Sequence, residues 1–392
     1  MRNKIKKWKR LRAIAVSLMA VLLLLMTTGC MGNPRSETIV IPETESEKPA
    51  NEASLGKEFQ VNTIYPLPVS SASELQLLGW TSGEAVIGYL ADNVPSVAAS
   101  NGLQLFVPPY EQSKQLASTT NNDMKILGLS PDGKMIAGLS DSGKGTSLTL
   151  VNLDGSQIKP IPDSSIDKQR SLHSRILHWS NNSRFISYLV TGNSRGQLNV
   201  VVYDVVEGAA KQYPLLGFSL ADRSTSVMLS NDGSSVLIED GNLVAMAKRN
   251  GDGSFVVHYD HPSGNGGSTW IDDDRFMFLG ADGTLFQYDH RNGELSVLLE
   301  KVGSFSVSPD RKLIAYTRNN EEAVYAGKLQ GNNVLYQTAV YQGIVPYQMM
   351  WSLSDGALLV DGSKSQAATA QEIAPAPAAD QERLRTFVIQ FQ

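Results

Sequence analysis

Short apolar segments alternate with tight polar turns along most of the chain, and this alternation recurs at a regular interval. Seven segments share a bulky apolar residue, a polar turn and then an apolar strand. Their leading residues are Trp80, Leu129, Trp179, Leu229, Trp270, Val307 and Trp351. Successive copies begin 37 to 50 residues apart and contain strand patterns without a helix. The pattern therefore predicts an all-β protein that is built from repeats.

Each copy is predicted to contain four antiparallel strands. In the second copy these are residues 124–129, 135–139, 147–153 and 157–161, and the turn Ser-Pro-Asp-Gly-Lys (130–134) joins the first two. Proline and glycine favour such a turn because proline presets φ and glycine tolerates positive φ. Four-stranded repeats of about 40–50 residues are typical of β-propeller blades, so seven blades are expected. Four of the five tryptophans lead a copy, where a large ring can pack between adjacent blades.

The last copy lacks a fourth strand of its own, since the chain ends after its third strand, Leu384 to Phe391. A matching piece stands near the other end. Residues 64–71 (Ile-Tyr-Pro-Leu-Pro-Val-Ser-Ser) match residues 158–165, where the fourth strand of the second copy ends. We therefore expect Phe59 to Ile64 to form the outer strand of the last blade. This pairing would close the propeller and cover an exposed edge.

The repeat also carries a resemblance to known propellers. Ser130-Pro-Asp-Gly-Lys134, followed by Met135-Ile-Ala, resembles the repeat of TolB-type and WD40-like β-propellers. No Gly-His or Trp-Asp pair marks the copies, so the eukaryotic WD40 type is a weaker match. The resemblance covers residues 58–392, and the whole arrangement is similar to propeller lipoproteins of the bacterial cell surface. The resemblance implies the fold and indicates little about function.

A basic and then apolar segment precedes the repeats. Residues 1–29 contain seven Lys and Arg side chains, the stretch Ala13 to Met26, which is apolar except for Ser17, and small residues just before Cys30. This composition predicts a secretion signal. The segment resembles the lipobox of bacterial lipoproteins, which implies removal of residues 1–29 and a lipid on Cys30. Acyl chains would hold the protein durably on a membrane. The alternatives are an ordinary signal peptide or an uncleaved anchor, with a cysteine there by chance.

Composition divides the remaining chain. Residues 30–57 are rich in Glu, Pro, Ser, Asn and Thr, which predicts a disordered tether. Residues 58–392 form the predicted β-propeller, and an Ala- and Pro-rich stretch within it, residues 362–383, is expected to be a flexible insert.

Charge and cysteine content restrict the partners. The whole chain carries a net charge of −5 and residues 1–29 carry +7, which leaves −12 for the rest. An acidic body is a poor partner for phosphate backbones, so nucleic acid is not an expected ligand. Cys30 is the only cysteine. Once it is acylated no thiol remains, which suits oxidising surroundings outside the cytoplasm.

Several segments resemble motifs for catalysis or metal binding but lack the neighbouring residues or elements that those motifs require. Gly192–Gly196 matches G-x-S-x-G, but a strand pattern follows where a helix is required. Residues 138–145 nearly match a phosphate-binding loop but have Gly145 in place of Ser or Thr. Asp272–Asp274 replace a turn and are interpreted as a solvated turn rather than a calcium site. The histidines show no metal-ligand spacing; they are His173, His178, His258, His261 and His290. We predict no catalytic residues, no metal and no cofactor.

Recognition is then expected on the long connections, because loops on a rigid scaffold usually carry it. These connections are residues 91–101, 163–175, 191–195 and 362–383. The sequence predicts a membrane-anchored extracytoplasmic lipoprotein whose propeller is a non-catalytic protein-binding or scaffold module. Its partners would be membrane lipid, through Cys30, and another protein or component of the cell envelope. The alternatives are a propeller-type hydrolase or lactonase with a metal in the channel, and a small-molecule sensor or binding subunit.

Overall fold

The computed structural model describes residues 38–40, 59–68, 74–91, 102–116, 124–141, 146–154, 158–161, 177–192, 196–220, 225–364 and 384–392. All of them except Thr38 belong to one compact unit, residues 39–392. The described residues form strands and turns without any helix, which confirms the predicted all-β class. Accordingly, no apolar helix of membrane-spanning length is found in these ranges.

Twenty-eight strands follow one another along the described residues. In chain order they are β1 (Thr38–Val40), β2 (Val61–Pro66), β3 (Glu74–Trp80), β4 (Val86–Ala91), β5 (Leu103–Phe106), β6 (Ser113–Gln115), β7 (Lys125–Leu129), β8 (Met135–Asp141), β9 (Thr146–Asn152), β10 (Ile158–Pro160), β11 (His178–Trp179), β12 (Phe185–Thr191), β13 (Leu198–Asp204), β14 (Ala209–Leu216), β15 (Ser226–Leu229), β16 (Ser235–Asp240), β17 (Leu243–Arg249), β18 (Phe255–Trp270), β19 (Arg275–Gly280), β20 (Leu285–Asp289), β21 (Glu294–Leu299), β22 (Val302–Val307), β23 (Leu313–Arg318), β24 (Ala323–Gln330), β25 (Asn333–Gln342), β26 (Ile344–Trp351), β27 (Ala357–Lys364) and β28 (Leu384–Phe391).

Backbone pairing groups β2 to β28 into four-stranded antiparallel sets. In chain order the first four sets are β3–β6, β7–β10, β11–β14 and β15–β18. The fifth set is β18–β21, the sixth is β22–β25, and the seventh contains β26, β27, β28 and β2. Within the first six sets, each strand pairs with the strand that follows it in sequence. Each set corresponds to one copy of the sequence repeat.

The N-terminal strand β2 completes the seventh set. It pairs with β28, with Val61 opposite Phe391 and Pro66 opposite Phe387. The strand was predicted over residues 59–64, and it begins and ends two residues later, at Val61 and Pro66. Phe59 is 5% exposed and its ring lies 6.0 Å from that of Phe391. The pairing supplies backbone partners to an edge of β28 that would otherwise be open.

β18 is one 16-residue strand shared by the fourth and fifth sets, whereas the repeat pattern predicts two separate strands. Its residues 255–262 pair with β17 and its later residues with β19, and the register shifts between Ser263 and Ser268. A Cβ on Gly264 would lie 2.8 Å from the carbonyl oxygen of Gly280. Glycine therefore permits the close approach by which one strand passes from one set into the next.

The hydrophobic core consists of seven clusters, and each cluster lies between two sets. Leu237 of the fourth set packs with Phe276 of the fifth, for example. Trp80 of the first set belongs to the same cluster as Leu359 of the seventh. Each set is thus apolar on both faces and relies on its neighbours for burial. The contacts between the first and seventh sets support the predicted closure by the N-terminal strand.

Parts of the predicted domain organisation lie outside the described residues. These parts are the signal segment 1–29, Cys30 and all of the tether 30–57 except β1. The insert predicted at 362–383 begins later, because Gly362–Lys364 complete β27. Gly362 pairs there with Pro346 on one side and Arg385 on the other. The regular pairing of β27 therefore continues through these residues.

Candidate functional site

The hairpin turn between the first two strands of most sets is built around a buried hydroxyl group. The serines at this position are at most 1% exposed; they are Ser130, Ser180, Ser230, Ser308 and Ser352. In the second set, Ser130 Oγ donates to Asp132 Oδ1 at 2.6 Å and accepts the Met135 N–H at 2.9 Å. The turn therefore pairs its own buried polar groups, as buried polar groups generally require.

Hydrogen bonds also join the turns of one set to those of the next. The backbone N–H of Asp132 donates to Ser183 Oγ of the third set at 2.9 Å. The N–H of Ser354 in the seventh set donates to Glu84 Oε1 in the first set at 3.1 Å. Further contacts of this kind run from Ser82 to Gly133, Asn182 to Asn231 and Asp232 to Asp273. The turns are thus held by their neighbours as well as by their own side chains.

Three of the leading tryptophans make the same contact with the preceding set. Their indole N–H groups donate to backbone carbonyl oxygens, in the pairs Trp80–Met350 at 2.9 Å, Trp270–Met228 at 2.9 Å and Trp351–Ser306 at 3.2 Å. All four leading tryptophans lie in core clusters between two sets, which confirms the packing between blades predicted for this position. Trp179 differs, since its buried Nε1 has no hydrogen-bond partner among the described residues.

A cavity of about 580 Å³ lies where the turns of five sets converge. The first, second, third, sixth and seventh sets contribute to its lining. Much of the wall is apolar and comes from the leading residues of the repeat and their neighbours: Trp80, Leu129, Val307, Met350 and Trp351. The motif that forms the turns therefore also forms a concave surface of the size that binds small ligands.

The turns of the fourth and fifth sets do not line this cavity. The side chain of Asn181 extends past the fourth set, and its Nδ2 donates to the carbonyl oxygen of Trp270 at 3.0 Å. Among the described residues, no hydrogen bond joins the fifth turn (271–275) to the sixth (308–312). Five of the other six junctions between turns have such a bond, and at the remaining one the backbone of Asp310 faces the carboxylate of Asp355. The sixth turn thus borders the cavity without a hydrogen-bonded contact from the set before it.

Two cationic side chains line the cavity, Lys134 and Arg311. Lys134 Nζ lies 3.6 Å from Asp132 Oδ2. The guanidinium of Arg311 forms no hydrogen bond, and no ion pair within 4.0 Å, with any described residue. Burial lowers the pKa of Arg311 to about 10, against the opposing effect of nearby Asp310 and Asp355. At neutral pH the cavity therefore contains a half-buried positive charge without a direct counterion.

Two carboxylates lie close to Arg311 and behave differently. Asp310 lies 2.9 Å from Lys312 Nζ. Burial would raise the pKa of Asp310, but hydrogen bonds from Lys312 and Ser308 outweigh burial and lower it. Burial, and then the charge of Asp310, raise the pKa of Asp355 to about 6. At neutral pH Asp355 is therefore ionised in a place that disfavours its charge.

The aspartate run 272–274 belongs to the internal bonding of its turn. Asp272 accepts hydrogen bonds from the backbone N–H and the guanidinium of Arg275. Asp274 Oδ1 lies 3.2 Å from His290 Nε2. These contacts support a structural role for the run. The described ranges hold no group of three or more His, Cys, Asp or Glu side chains placed to bind a metal ion.

None of the four described histidines lines the cavity. His178 is enclosed, and burial lowers its pKa while Glu239 opposes the shift. His290 is buried, with its Nδ1 3.5 Å from Lys248 Nζ. His258 is exposed and His261 is half-buried, whereas His173 lies outside the described residues.

The two rejected motifs connect adjacent antiparallel strands. Gly192–Gly196 lies between β12 and β13, and residues 138–145 span the connection of β8 to β9. Strands therefore follow both segments, where the corresponding enzyme motifs require a helix. Some predicted site residues lie outside the described part: Cys30 and the loop residues 92–101, 163–175, 193–195 and 365–383.

Arg311 did not emerge as a candidate from the sequence. It stands at the fifth residue of the repeat motif, where the second and fourth copies have Gly133 and Gly233. Its φ is +64°, close to the +66° of Gly133. An arginine at a position with left-handed backbone is unusual. The replacement of glycine by arginine within Ser-Pro-Asp-Gly-Lys was the available signal.

Several solved structures are similar to the chain. An oligogalacturonate lyase in complex with manganese is 10% identical with a TM-score of 0.52, over 85% of this chain and 98% of that chain. The β-propeller domain of the Trilobed protease from Pyrococcus furiosus is 14% identical with a TM-score of 0.51, over 83% and 97%. A chain of a mitotic checkpoint complex is 13% identical with a TM-score of 0.50, over 88% and 96%. No family model matches the chain, and neither does any curated protein. At these identities the likeness shows the fold alone, which is a β-propeller.

Proposed function

We propose that the chain is a non-catalytic binding module held on the extracytoplasmic face of a membrane by lipid on Cys30. It recognises its ligand, or a projecting part of an envelope protein, at the cavity formed by the turns. The observation that carries this proposal is the cavity itself, since five sets contribute to one concave, largely apolar site of about 580 Å³. Such sites on a rigid scaffold favour recognition.

Binding is favoured over catalysis by the groups that face the cavity. The unpaired charge there belongs to Arg311, and a guanidinium does not act as a general base near neutral pH. The hydroxyl of Ser130 already accepts one hydrogen bond and donates another within its turn. It is therefore engaged in structure rather than poised as a nucleophile.

A small-molecule sensor or binding subunit is the second candidate. The volume of the cavity favours it, because pockets for small organic ligands usually measure about 300–1000 Å³. A protein partner would instead insert one side chain or a short loop. Both candidates use the same surface, so one set of variants tests whether that surface binds.

The experiment expresses the full chain in its native cells as wild type, Leu353→Arg and Val206→Arg. Leu353 lines the cavity, and an arginine there would obstruct it. Val206 lies outside it and is 78% exposed, which makes it a matched control. We expect wild type and Val206→Arg to retain the same stoichiometric molecule through affinity capture, and Leu353→Arg to lose it. Equal retention by all three proteins, or retention by none, would contradict the proposal.

The anchor is tested on the same cells with Cys30→Ala. We expect a palmitate analogue to label the wild-type chain and to be absent from the variant. The N-terminal peptide of wild type should have the mass of an acylated Cys30. Wild-type protein that carries no label, or an N-terminal peptide that begins before residue 30, would refute the lipid anchor.

A further inference from the structure

We infer that the cavity takes a small organic anion whose acidic group pairs with the guanidinium of Arg311. This inference rests on the proposed binding function and names the chemical class of the ligand. It predicts a carboxylate attached to a flat or branched apolar body.

The surroundings of Arg311 differ from those of the other arginines whose side chains the structure describes. Four of these lie within 4.0 Å of a carboxylate, in the pairs Arg184–Asp204, Arg275–Asp272, Arg291–Asp289 and Arg318–Glu321. The guanidinium of Arg249 lies 5.2 Å from the ring centroid of Tyr213. Arg311 has neither kind of partner among the described residues. A guanidinium offers five N–H donors, so the cavity presents unused hydrogen-bonding capacity.

A half-buried cation without a partner is energetically unfavourable. The left-handed backbone of Arg311, φ +64°, also occurs at the same turn position in Glu84, Ser183 and Asp355. What distinguishes Arg311 is therefore the missing partner of its guanidinium beside a cavity. An anion in the cavity would supply that partner through charge-assisted, bidentate hydrogen bonds.

The acidic groups nearby leave this position available. Asp132 accepts the hydroxyl of Ser130 and faces Lys134, and Asp310 faces Lys312. The carboxylate of Asp355 lies more than 4.0 Å from the guanidinium of Arg311. A ligand carboxylate that can meet the guanidinium in plane therefore has a geometric advantage over the protein's own carboxylates.

The rest of the lining defines the body of the ligand. Six of the lining side chains are aromatic or aliphatic: Trp80, Trp351, Met350, Leu353, Pro131 and Pro309. Aromatic faces and methionine favour flat apolar groups. Inorganic phosphate would satisfy Arg311 but leave this wall without a contact. The structure thus favours an aryl or branched-alkyl carboxylate.

The test uses the purified full chain in detergent and three probes: phenylacetate, phenylacetamide and inorganic phosphate. Trp80 and Trp351 line the cavity, so intrinsic tryptophan fluorescence reports occupancy. We expect saturable binding of phenylacetate with a Kd of about 1 mM or tighter. We expect phenylacetamide and phosphate to bind about tenfold more weakly or worse.

Three variants assign the effect. Arg311→Met removes the charge and keeps much of the side-chain volume, and Arg311→Gly also relieves the left-handed backbone. Lys211→Met makes the same charge change in β14, away from the cavity. We expect both Arg311 variants to lose preference for phenylacetate over phenylacetamide, and Lys211→Met to keep it. Arg311→Gly should melt at or above the wild-type temperature, so its loss of binding would not reflect unfolding.

Two results would overturn the inference. One is equal binding of phenylacetate and phenylacetamide to wild type, which would leave the cavity as a binding site without anion preference. The other is no saturable change with any probe, together with retention of a native molecule by the full chain. In both cases the proposed binding function could still hold, and its own test with Leu353→Arg decides that separately.

Discussion

Two turns of this propeller have nearly the same sequence and different surroundings. Residues 130–134 read Ser-Pro-Asp-Gly-Lys and residues 308–312 read Ser-Pro-Asp-Arg-Lys. In both, the buried serine donates to the aspartate two residues on, at 2.6 and 2.7 Å. In both, it accepts the N–H five residues on at 2.9 Å. The internal geometry of the turn is thus set by Ser and Asp, whatever follows them.

The residue after the aspartate is determined by the neighbouring set. The carbonyl oxygen of Gly133 accepts a hydrogen bond from Ser82, and a Cβ on Gly133 would overlap the carbonyl oxygen of Trp80. The fifth set makes no such hydrogen bond to the sixth among the described residues. Arg311 can therefore stand where the second turn requires glycine. The comparison shows that the residue after the aspartate contacts the preceding set where that set approaches closely, as Gly133 does. Where the preceding set does not approach closely, the same position can face the cavity, as Arg311 does.

Gly133→Ala should disrupt the second turn. Among the changes at Gly133, Trp80 and Asp355, we expect it to lower the stability of the protein most. The added Cβ would overlap backbone atoms of Trp80 and lie 2.7 Å from Ser82 N, at φ +66°. We expect a loss of about 3 kcal/mol in the free energy of unfolding, from backbone strain together with overpacking. Denaturant unfolding followed by circular dichroism measures it.

Gly208→Ala is the matched control for that variant. Its φ is +67° and no atom lies within 4 Å of the built Cβ. Gly208→Ala therefore has the same backbone strain without the clash. We expect it to lose about 1 kcal/mol in the free energy of unfolding. Equal losses in the two variants would show that the first set does not impose glycine at position 133.

The sequence allowed much of this fold to be predicted, because the fold is local in origin. The repeat, the strand order within a copy and the N-terminal strand next to Phe391 follow from patterns within 50 residues or from a direct match. The continuous strand β18 and the role of Arg311 depend on distances between sets. Neighbouring sets approach each other through packing, which no single copy encodes. Arg311 could be recognised only as an exception to its own repeat.

The wall that Gly133 faces is held by Trp80, so a second test addresses that residue. Trp80→Phe removes the indole N–H that bonds the carbonyl oxygen of Met350 in the seventh set. Trp179→Phe removes a buried N–H that has no partner among the described residues. Both changes shrink a buried ring by a similar amount. We expect Trp80→Phe to be about 1–2 kcal/mol more destabilising, because it alone leaves a broken hydrogen bond.

Thermal unfolding of both variants under one buffer condition measures this difference. It also tests the predicted closure of the propeller, since the bond of Trp80 joins the first set to the last. Equal stability of the two variants would mean that this bond contributes nothing, and would weaken the case for closure.

The two turns also differ in the group that faces the aspartate of the turn. The N–H of Asp132 donates to the neutral hydroxyl of Ser183, whereas Asp310 faces the carboxylate of Asp355. Burial and the charge of Asp310 raise the pKa of Asp355 from 3.8 to about 6. The unfolded chain therefore releases this proton at lower pH than the folded chain. Stability from the protonated form is present below about pH 4 and is lost as the pH rises to about 6.

Asp355→Asn should prevent this loss of stability at higher pH. Among the changes at Gly133, Trp80 and Asp355, we expect it to alter stability least. Asparagine keeps the shape of the side chain without its charge and tolerates the φ of +61° at this position. Because the side chain is partly exposed and water screens its charge, we expect a gain of about 1 kcal/mol at pH 8 and none at pH 3.5. Unfolding curves at the two pH values measure it.

Asp289→Asn provides a control of opposite sign. Asp289 lies 2.5 Å from Arg291, whose hydrogen bond lowers the pKa of this carboxyl despite burial. Its contribution is present above the unfolded pKa and is lost as the pH falls, so this variant should be less stable than wild type at pH 8. If Asp355→Asn were also less stable at pH 8, the carboxylate of Asp355 would be stabilised by its surroundings. Arg311 would then have an effective counterion within the protein, and the case for an external anion would lose its electrostatic basis.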